Sequence, residues 1–250
     1  MIYIGTVPLD NHIPKICVPL VGRTVEEVQA ACRNIQQAEF DVVEFRVDFL
    51  RDVLQEGVAM AALQVVRQML PHSPLLFTFR TKAEGGETAI SDDAYAALLR
   101  QAVPSGCIDA VDIEYFRCQE DMEPVMQLAK EKGVTIVMSS HDFQKTPPLK
   151  ELEQRLLAMK RRGADVAKLA CMPQCAGDVL TLLQATEHIK FLYPDEPLIT
   201  MSMGQLGVVS RISGEVFGSA MTFGTVGMAS APGQLDAATL RHVLNVLHGN

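Results

Sequence analysis

Eight short apolar segments recur along the chain at intervals of roughly thirty residues, each followed by a stretch suited to a helix. The segments are Lys15–Val21, Val42–Phe49, Leu75–Arg80, Ala110–Tyr115, Thr135–Ser139, Val166–Ala170, Leu198–Met203 and Ala220–Val226. Nearly continuous apolar runs of this length are typical of parallel strands buried on both faces. The alternation predicts an α/β fold, and eight strand–helix units predict a (β/α)₈ TIM barrel. A doubly wound sheet has the same local pattern and stays an alternative.

Helix signals support this division of the chain. Thr24 and Glu27 form a capping-box pattern at the start of a helix predicted over Val25–Ala38. Further helices are predicted over Val53–Leu70, from Leu149 to Gly163, and over Ala237–Leu247. No linker rich in Pro, Gly or Ser divides the 250 residues, so a single domain over residues 1–250 is expected. The segment Met1–Pro14 is expected to form a short hairpin that closes the barrel floor.

Composition excludes several function classes. The net charge is −8, and no basic run is longer than Lys160 to Arg162, which argues against nucleic acid or an anionic membrane surface as partner. No apolar run has the length of a transmembrane helix. The first residues lack the features of an export signal, so a cytoplasmic location and reduced thiols for the six cysteines are expected. Cys171 and Cys175 lie close together without a second pair at zinc-site spacing, so no metal is expected.

Lys168 is the unusual residue within these strands, because it interrupts the apolar segment Val166–Ala170. Burial disfavours the charged form of an amine, and a neutral lysine is a nucleophile that condenses with a ketone or aldehyde to give an imine. Two structural alternatives exist: the side chain extends to solvent at the strand end, or it belongs to a buried ion pair. The residues at the other strand ends favour the catalytic interpretation.

In a barrel the carboxyl ends of all strands converge on one face, where reactive sites lie. The polar residues expected there are Glu44, Arg46, Arg80, Glu84, His141, Lys168, Arg211, Ser230 and Gln234. The arginines would favour an uncharged amine on Lys168 and an anionic substrate, most simply a carboxylate. His141 beside such a lysine is a candidate proton shuttle, and Glu84 is a candidate to orient its imidazole.

Each of these residues also has a structural interpretation. His141 alone is more often a surface or core histidine, Glu84 a solvated loop acid, and Arg211 a cap on a helix end. Glu44 and Arg46 are two residues apart and face one side of their strand, where an ion pair is common. Asp112 and Glu114 share a face of the fourth strand, and interior polar packing is the expectation for both.

Seven short motifs carry a resemblance that extends from Lys15 to Gln234. They are Glu44-Phe-Arg46-Val-Asp, Phe77-Thr-Phe-Arg80, Ser140-His141-Asp-Phe, Ala167-Lys168-Leu-Ala, Met201-Ser-Met203-Gly, Ser210-Arg211 and Pro232-Gly-Gln234. In this order and spacing they resemble the type I 3-dehydroquinate dehydratases of the shikimate pathway. No single motif is specific, but the set is.

The resemblance implies a (β/α)₈ barrel, commonly a homodimer, without a metal or organic cofactor, that dehydrates 3-dehydroquinate to 3-dehydroshikimate. It implies that Lys168 forms the Schiff base, His141 is the general acid and base, and Glu84 is its acidic partner. It implies that substrate is bound by Glu44, Arg46, Arg80, Arg211, Ser230 and Gln234, with Arg211 as the carboxylate anchor. One position departs from the family: Pro19 stands where some members have a serine near the substrate.

Two other functions fit parts of the sequence. Another Schiff-base lyase, a barrel resembling class I aldolases, would also place a lysine on the sixth strand. Such enzymes acting on sugar phosphates usually have a glycine-rich backbone cradle after strands seven and eight, and here Gly224 to Gly227 fits a strand better. A binding or regulatory module is the second alternative, which the full set of acid, base and lysine disfavours.

Overall fold

The structure is a computed structural model that describes residues 1–10, 12–227 and 230–249. It opens with an antiparallel hairpin of β1 (Ile2–Ile4) and β2 (Val7–Leu9). The strands that follow are β3 (Lys15–Leu20), β4 (Val42–Arg46), β5 (Leu75–Thr78), β6 (Ala110–Glu114), β7 (Thr135–Asp142), β8 (Val166–Cys171), β9 (Leu198–Ser202), β10 (Met221–Thr225) and β11 (Leu235–Asp236).

Strands β3 to β10 pair in parallel around a curled sheet, and β11 adds a short edge beside β10. Neighbouring strands pair in sequence order, and β10 returns to pair with β3. Between β9 and β10, Leu198 and Ser219 form a bridge, and the Ala220 N–H donates to the Leu198 carbonyl at 2.8 Å. The predicted (β/α)₈ barrel is thus confirmed, and the doubly wound alternative is wrong because the sheet closes on itself.

Helices connect the strands and cover the outside of the barrel. They are α1 (Val25–Ile35), α2 (Val58–Met69), α3 (Asp92–Ala102), α4 (Gln119–Lys132), α5 (Leu149–Arg161), α6 (Ala176–Leu192), α7 (Val208–Ile212), α8 (Gly214–Phe217) and α9 (Ala237–His248). Their apolar faces and the outward side chains of the strands form one continuous hydrophobic core. Within the described ranges, no helix is both long and apolar enough to cross a membrane.

Several element boundaries differ from the sequence prediction. Helix α2 begins five residues later than Val53, because the chain first turns through Gly57, whose φ of 81° is unfavourable for other residues. Strand β4 ends at Arg46, where a turn of 3₁₀ helix replaces the predicted extension to Phe49. At the start of α1, Thr24 accepts from the Glu27 N–H at 3.3 Å, but the Glu27 carboxylate accepts from the Arg23 N–H. In a regular capping box the Glu27 carboxylate would accept from the Thr24 N–H, so this half of the box is displaced by one residue.

The lower barrel interior is apolar. Alternate strands of such a barrel contribute the four side chains of each interior layer. Toward the amino ends of the strands, the inward positions are Val42, Ala110, Val166 and Met221 on four strands, and Cys17, Leu76, Val137 and Ile199 on the other four. Ile4 and Leu9 of the hairpin join this cluster, and Thr135 Oγ1 donates to the Tyr3 carbonyl at 2.6 Å. The hairpin closes the barrel floor, as predicted.

Candidate active site

The next interior layer upward is polar and centres on Lys168 of β8. Its Nζ lies 3.2 Å from Glu44 Oε1 of β4, 3.5 Å from Asp112 Oδ2 of β6, and 4.4 Å from the Phe223 ring centroid of β10. These strands alternate around the barrel, as the layer rule requires. Only 3% of Lys168 is exposed, so the amine is inside the barrel and does not extend to solvent.

The charges nearest the Lys168 amine differ from the expectation. The sequence predicted arginines around this lysine, but its neighbours within 3.5 Å are two carboxylates, those of Glu44 and Asp112. The nearby arginines have acidic partners of their own. The expectation that arginines are the closest charged neighbours of this amine is therefore wrong.

Arg80 holds two buried acids together beneath the mouth. Its Nη1 donates to Glu114 Oε1 at 2.9 Å and to Ser139 Oγ at 3.0 Å, and its Nη2 lies 2.8 Å from Asp112 Oδ1. Burial lowers the pKa of Arg80, but the carboxylates of Asp112 and Glu114 outweigh it and raise that pKa well above its usual value. Arg80 is therefore a fixed cation with much of its hydrogen-bonding capacity already used inside the protein.

Glu84 and His141 meet as predicted. Glu84 Oε2 accepts the His141 backbone N–H and lies 3.0 Å from His141 Nδ1. This contact engages Nδ1 and leaves Nε2 as the ring nitrogen outside the pair. Gly86 makes the turn after Glu84 possible, since a Cβ there would lie 1.8 Å from the Arg80 carbonyl oxygen.

Both members of this pair titrate abnormally. Burial raises the pKa of Glu84 to about 8, with Arg80 opposing the rise and Glu114 adding to it. Burial and the cations of Arg80 and Lys168 hold the pKa of His141 well below its usual value. The imidazole is accordingly neutral at physiological pH and available as a base.

Glu44 and Arg46 face the same space, as their spacing predicted, but they do not pair with each other. Glu44 Oε1 accepts from Thr78 Oγ1 at 3.0 Å and from Lys168. Arg46 binds Asp48 through two hydrogen bonds, Nε to Oδ1 at 2.8 Å and Nη2 to Oδ2 at 2.9 Å. Asp48 follows the strand, and sequence reasoning did not single it out.

Arg211 differs from the buried Arg46 and Arg80 in its partners. It is 1% exposed and has no acidic partner among the residues that the structure describes. Its Nη2 donates to the Pro232 carbonyl at 3.0 Å, and its Nη1 lies 3.7 Å from Met201 Sδ. Its Nε has no hydrogen-bond partner within the described ranges. Burial lowers the pKa of Arg211 to about 10. A buried guanidinium left without a counter-charge is suited to bind an anion.

The segment from Ser230 to Gln234 lies over the mouth. The Ser230 N–H donates to Gln234 Oε1 at 3.0 Å, and Gln234 Nε2 donates to Ser230 Oγ at 3.3 Å. The Pro232 carbonyl also accepts from the Gly204 N–H at 3.2 Å, which ties this segment to the end of β9. The loop thus forms one wall of the site.

These parts enclose a cavity of about 450 Å³, including the part open to solvent. Eight of the nine residues predicted for the site line it: Glu44, Arg46, Arg80, Glu84, His141, Lys168, Ser230 and Gln234. Arg211 lies behind the wall, against Met201 and Pro232. The remaining lining residues, missed from sequence, are Gly85, Phe143, Ala170, Met201, Met203, Phe223 and Ala231. Pro19 is buried in β3 opposite Glu44 and is not among them.

Fold and site together define a class: a parallel α/β barrel with a buried lysine and a neutral histidine in one cavity at the carboxyl ends of the strands. Such a site suits imine formation coupled to proton transfer. Comparison with known proteins identifies one family. The family model of type I 3-dehydroquinase matches residues 16–250.

Curated relatives agree with this match. The chain is 48% identical over 247 residues to a 3-dehydroquinate dehydratase of Listeria monocytogenes, covering 99% of this chain and 98% of that protein. It is 50% identical over 232 residues to one of Klebsiella pneumoniae, covering 93% and 92%. A solved type I 3-dehydroquinate dehydratase of Clostridium difficile, with covalently modified comenic acid, superposes with a TM-score of 0.95 at 41% identity, covering 99% and 97% of the two chains.

The chain belongs to the type I 3-dehydroquinase family. It is accordingly a hydro-lyase that dehydrates 3-dehydroquinate in the shikimate pathway.

Proposed function

We propose that the dehydration runs through an imine on Lys168, with His141 as the proton-transfer group and Glu84 as the residue that orients it. The observation that carries this assignment is the placement of a buried amine and an imidazole with a free Nε2 on one small cavity. The solved Clostridium difficile relative contains covalently modified comenic acid, which supports a reactive group in the family.

The substrate carboxylate is assigned to Arg211. This guanidinium is buried and lacks an acidic partner among the described residues, whereas Arg46 and Arg80 already hold acids. Ser230 and Gln234 line the cavity on the loop whose Pro232 carbonyl binds Arg211, and their side chains would bind substrate hydroxyls. Glu44, Arg46 and Arg80 complete the binding wall on the opposite strands.

The chemistry follows from these positions. The uncharged Lys168 amine attacks the C3 ketone, and the carbinolamine takes up one proton and loses water to give a protonated imine. This cation withdraws electrons and acidifies the C2 proton, which His141 Nε2 removes to form an enamine. The enamine collapses and expels the C1 hydroxyl as water, with His141 returning the proton. Hydrolysis of the imine then releases 3-dehydroshikimate and regenerates Lys168.

Borohydride reduction in the presence of 3-dehydroquinate tests the assignment. We expect a substrate-dependent mass increase that peptide mapping places on Lys168 and that is absent from Lys168→Ala. His141→Ala should retain the adduct while its turnover falls by about 10²–10⁴-fold, the usual contribution of a positioned acid and base. Normal turnover in His141→Ala, or an adduct on another lysine, would overturn the assignment.

We also propose a cytoplasmic homodimer of a chain that folds as one domain and uses no metal or organic cofactor. The family resemblance supports the dimer, and the exposed apolar side chains Leu180, Phe191 and Val216 are consistent with a covered surface. The six free cysteines suit a reducing compartment. Sedimentation equilibrium would test the dimer, and a monomer mass at micromolar concentration would refute it.

A further inference from the structure

Asp112 is the least accessible acid that touches the Lys168 amine. It is fully buried in β6, and the cavity lining does not include it. Its Oδ1 accepts from Ser139 Oγ at 2.6 Å and lies 2.8 Å from Arg80 Nη2. Its Oδ2 has no hydrogen-bond partner in the part of the chain that the structure describes, and it lies 3.5 Å from Lys168 Nζ. One oxygen therefore fixes the carboxylate, and the other points to the reacting nitrogen.

Glu44 occupies a different position relative to the same nitrogen. It lines the cavity, and its Oε1 is shared between Lys168 Nζ and Thr78 Oγ1. A bound substrate would meet Glu44 directly, so its carboxylate is available for substrate hydroxyls. Asp112 lies outside the lining, so a substrate in the cavity would not contact it directly.

The proposed imine changes what the nitrogen requires from its surroundings. Amine, ketone and one proton combine to give the iminium and water, so a neutral nucleophile becomes a cation with a carbon–nitrogen double bond. That cation is the electron sink for removal of the C2 proton. A buried cation is costly unless a fixed opposite charge accompanies it. The nitrogen has fewer N–H groups as an iminium than as an amine, so it can donate fewer hydrogen bonds. Coulomb attraction to a nearby carboxylate then becomes its main stabilising interaction.

We propose that Asp112 is the permanent counter-ion of the Lys168 iminium and a positioning residue for the dehydration. The inference rests on the proposed function, because it presumes an imine on Lys168. Asp112 exchanges no proton and touches no substrate atom. It acts through the lysine nitrogen, which it holds at the centre of the barrel and stabilises in its cationic form.

The carboxylate is suited to stay ionised throughout. Burial raises the pKa of Asp112, but Arg80, Lys168 and the Ser139 hydrogen bond hold it below its usual value. The other groups that face the nitrogen are Glu44, the Phe223 ring at 4.4 Å and the neutral His141 across the cavity. The aromatic face adds cation–π attraction to the same charge state.

Asp112→Asn tests the proposal, with Glu114→Gln as its matched control. Both changes turn a fully buried carboxylate of β6 that binds Arg80 into an amide, but the structure records no contact between Glu114 and Lys168. Each variant and the wild type would be treated with 3-dehydroquinate and borohydride, and the reduced adduct on Lys168 quantified by mass spectrometry.

We expect the trapped fraction to fall by at least about tenfold in Asp112→Asn, since one buried charge at this distance is lost. Turnover should fall by about 100-fold with a nearly unchanged KM. Glu114→Gln should keep its trapped adduct even where its turnover drops. Equal trapping in Asp112→Asn and wild type would overturn the proposal, and so would equal losses in both variants. Absence of an adduct from wild type would instead refute the imine itself.

A second measurement covers failure of Asp112→Asn to fold. Wild-type enzyme with ¹⁵N-labelled lysine side chains would be examined by NMR with 3-dehydroquinate bound. A resonance of a protonated iminium that persists from about pH 6 to pH 9 supports a fixed counter-ion. A nitrogen that loses its proton within that range would contradict one.

Discussion

Two neighbouring levels of the barrel interior use the same strands for opposite purposes. The lower layers carry apolar side chains on every inward position and join the hairpin residues Ile4 and Leu9. One layer higher, the inward positions of β4, β6 and β8 hold Glu44, Asp112 and Lys168. The two levels are a single pleat apart along each strand. Burial alone thus does not determine whether an interior position is apolar or charged. Its distance from the carboxyl ends of the strands does.

The upper layer contains charged side chains, whereas the lower layer contains only apolar ones. Paired carboxylates and cations lose solvation on burial, and replacing such groups with apolar residues of similar size is often neutral or stabilising. The lower layer stabilises the fold through apolar area and close packing. Substitutions in the two layers should therefore separate activity from stability.

Lys168→Ala should give the largest effect of any upper-layer change. The nucleophile is removed, so kcat should fall by at least about 10⁴-fold. Steady-state formation of the conjugated enone, followed by ultraviolet absorbance, measures the loss. Circular dichroism of the same preparation is the control for folding. Residual turnover within about tenfold of wild type would show that the upper layer does not hold the nucleophile.

Leu76→Ala is the matching change in the lower layer. Leu76 is fully buried on β5, on the inward face that also carries Thr78. Removing its side chain should cost about 2–5 kcal/mol of unfolding free energy through lost burial and a residual cavity. Urea denaturation measures this cost, and kcat well below the melting temperature should stay within a few-fold of wild type. A large kcat loss in a fully folded protein would remove the distinction between the layers.

Sequence reasoning predicted the eight strand segments, the barrel and the convergence of eight site residues on one face. It predicted these because strand ends meet at one face, whatever the details of packing. It gave a buried ion pair of Lys168 only as an alternative, and it did not predict that Glu44 and Asp112 are the carboxylates in contact with it. That contact depends on which inward residues of β4, β6 and β8 lie in the same layer of the barrel. Strand register and tilt determine this. The layer rule for alternate strands is the signal that would have indicated Asp112.

The partner of Arg211 shows a second limit of the sequence. A guanidinium in a loop pattern is compatible with a helix cap, an ion pair or an anion site. Only the three-dimensional arrangement reveals that its described neighbours are a carbonyl and a thioether. Conversely, the Glu84 and His141 pair was predictable in outline: Glu84 lies beyond the carboxyl end of β5 and His141 at that of β7, and these ends meet at one face.

Arg211→Met should have an intermediate effect, confined to substrate binding. Loss of a charge-assisted contact to a carboxylate typically weakens binding by about 10–100-fold, and this should raise KM. The methionine replaces a guanidinium that has no acidic partner within the described ranges, so stability should not fall. Steady-state kinetics and thermal melting measure both quantities. An unchanged KM would assign the carboxylate to another group, with Arg46 as the next candidate.

Glu84→Gln should give the smallest effect, a change in how stability depends on pH. The pKa of Glu84 is raised to about 8 in the folded protein, so between its ordinary value near 4.5 and about 8 the folded state binds more protons than the unfolded state. Stability from this residue is present at low pH and is lost as pH rises through that window, by at most about 1.4 kcal/mol per pH unit. Urea unfolding of wild type from pH 5 to pH 8.5 should show this decline, and Glu84→Gln should lessen it. The lower layer carries no acid, so Leu76→Ala should keep the wild-type slope at reduced overall stability. If Glu84→Gln showed the same pH dependence of unfolding free energy as the wild type, Glu84 would not be the group that binds the extra proton in the folded state.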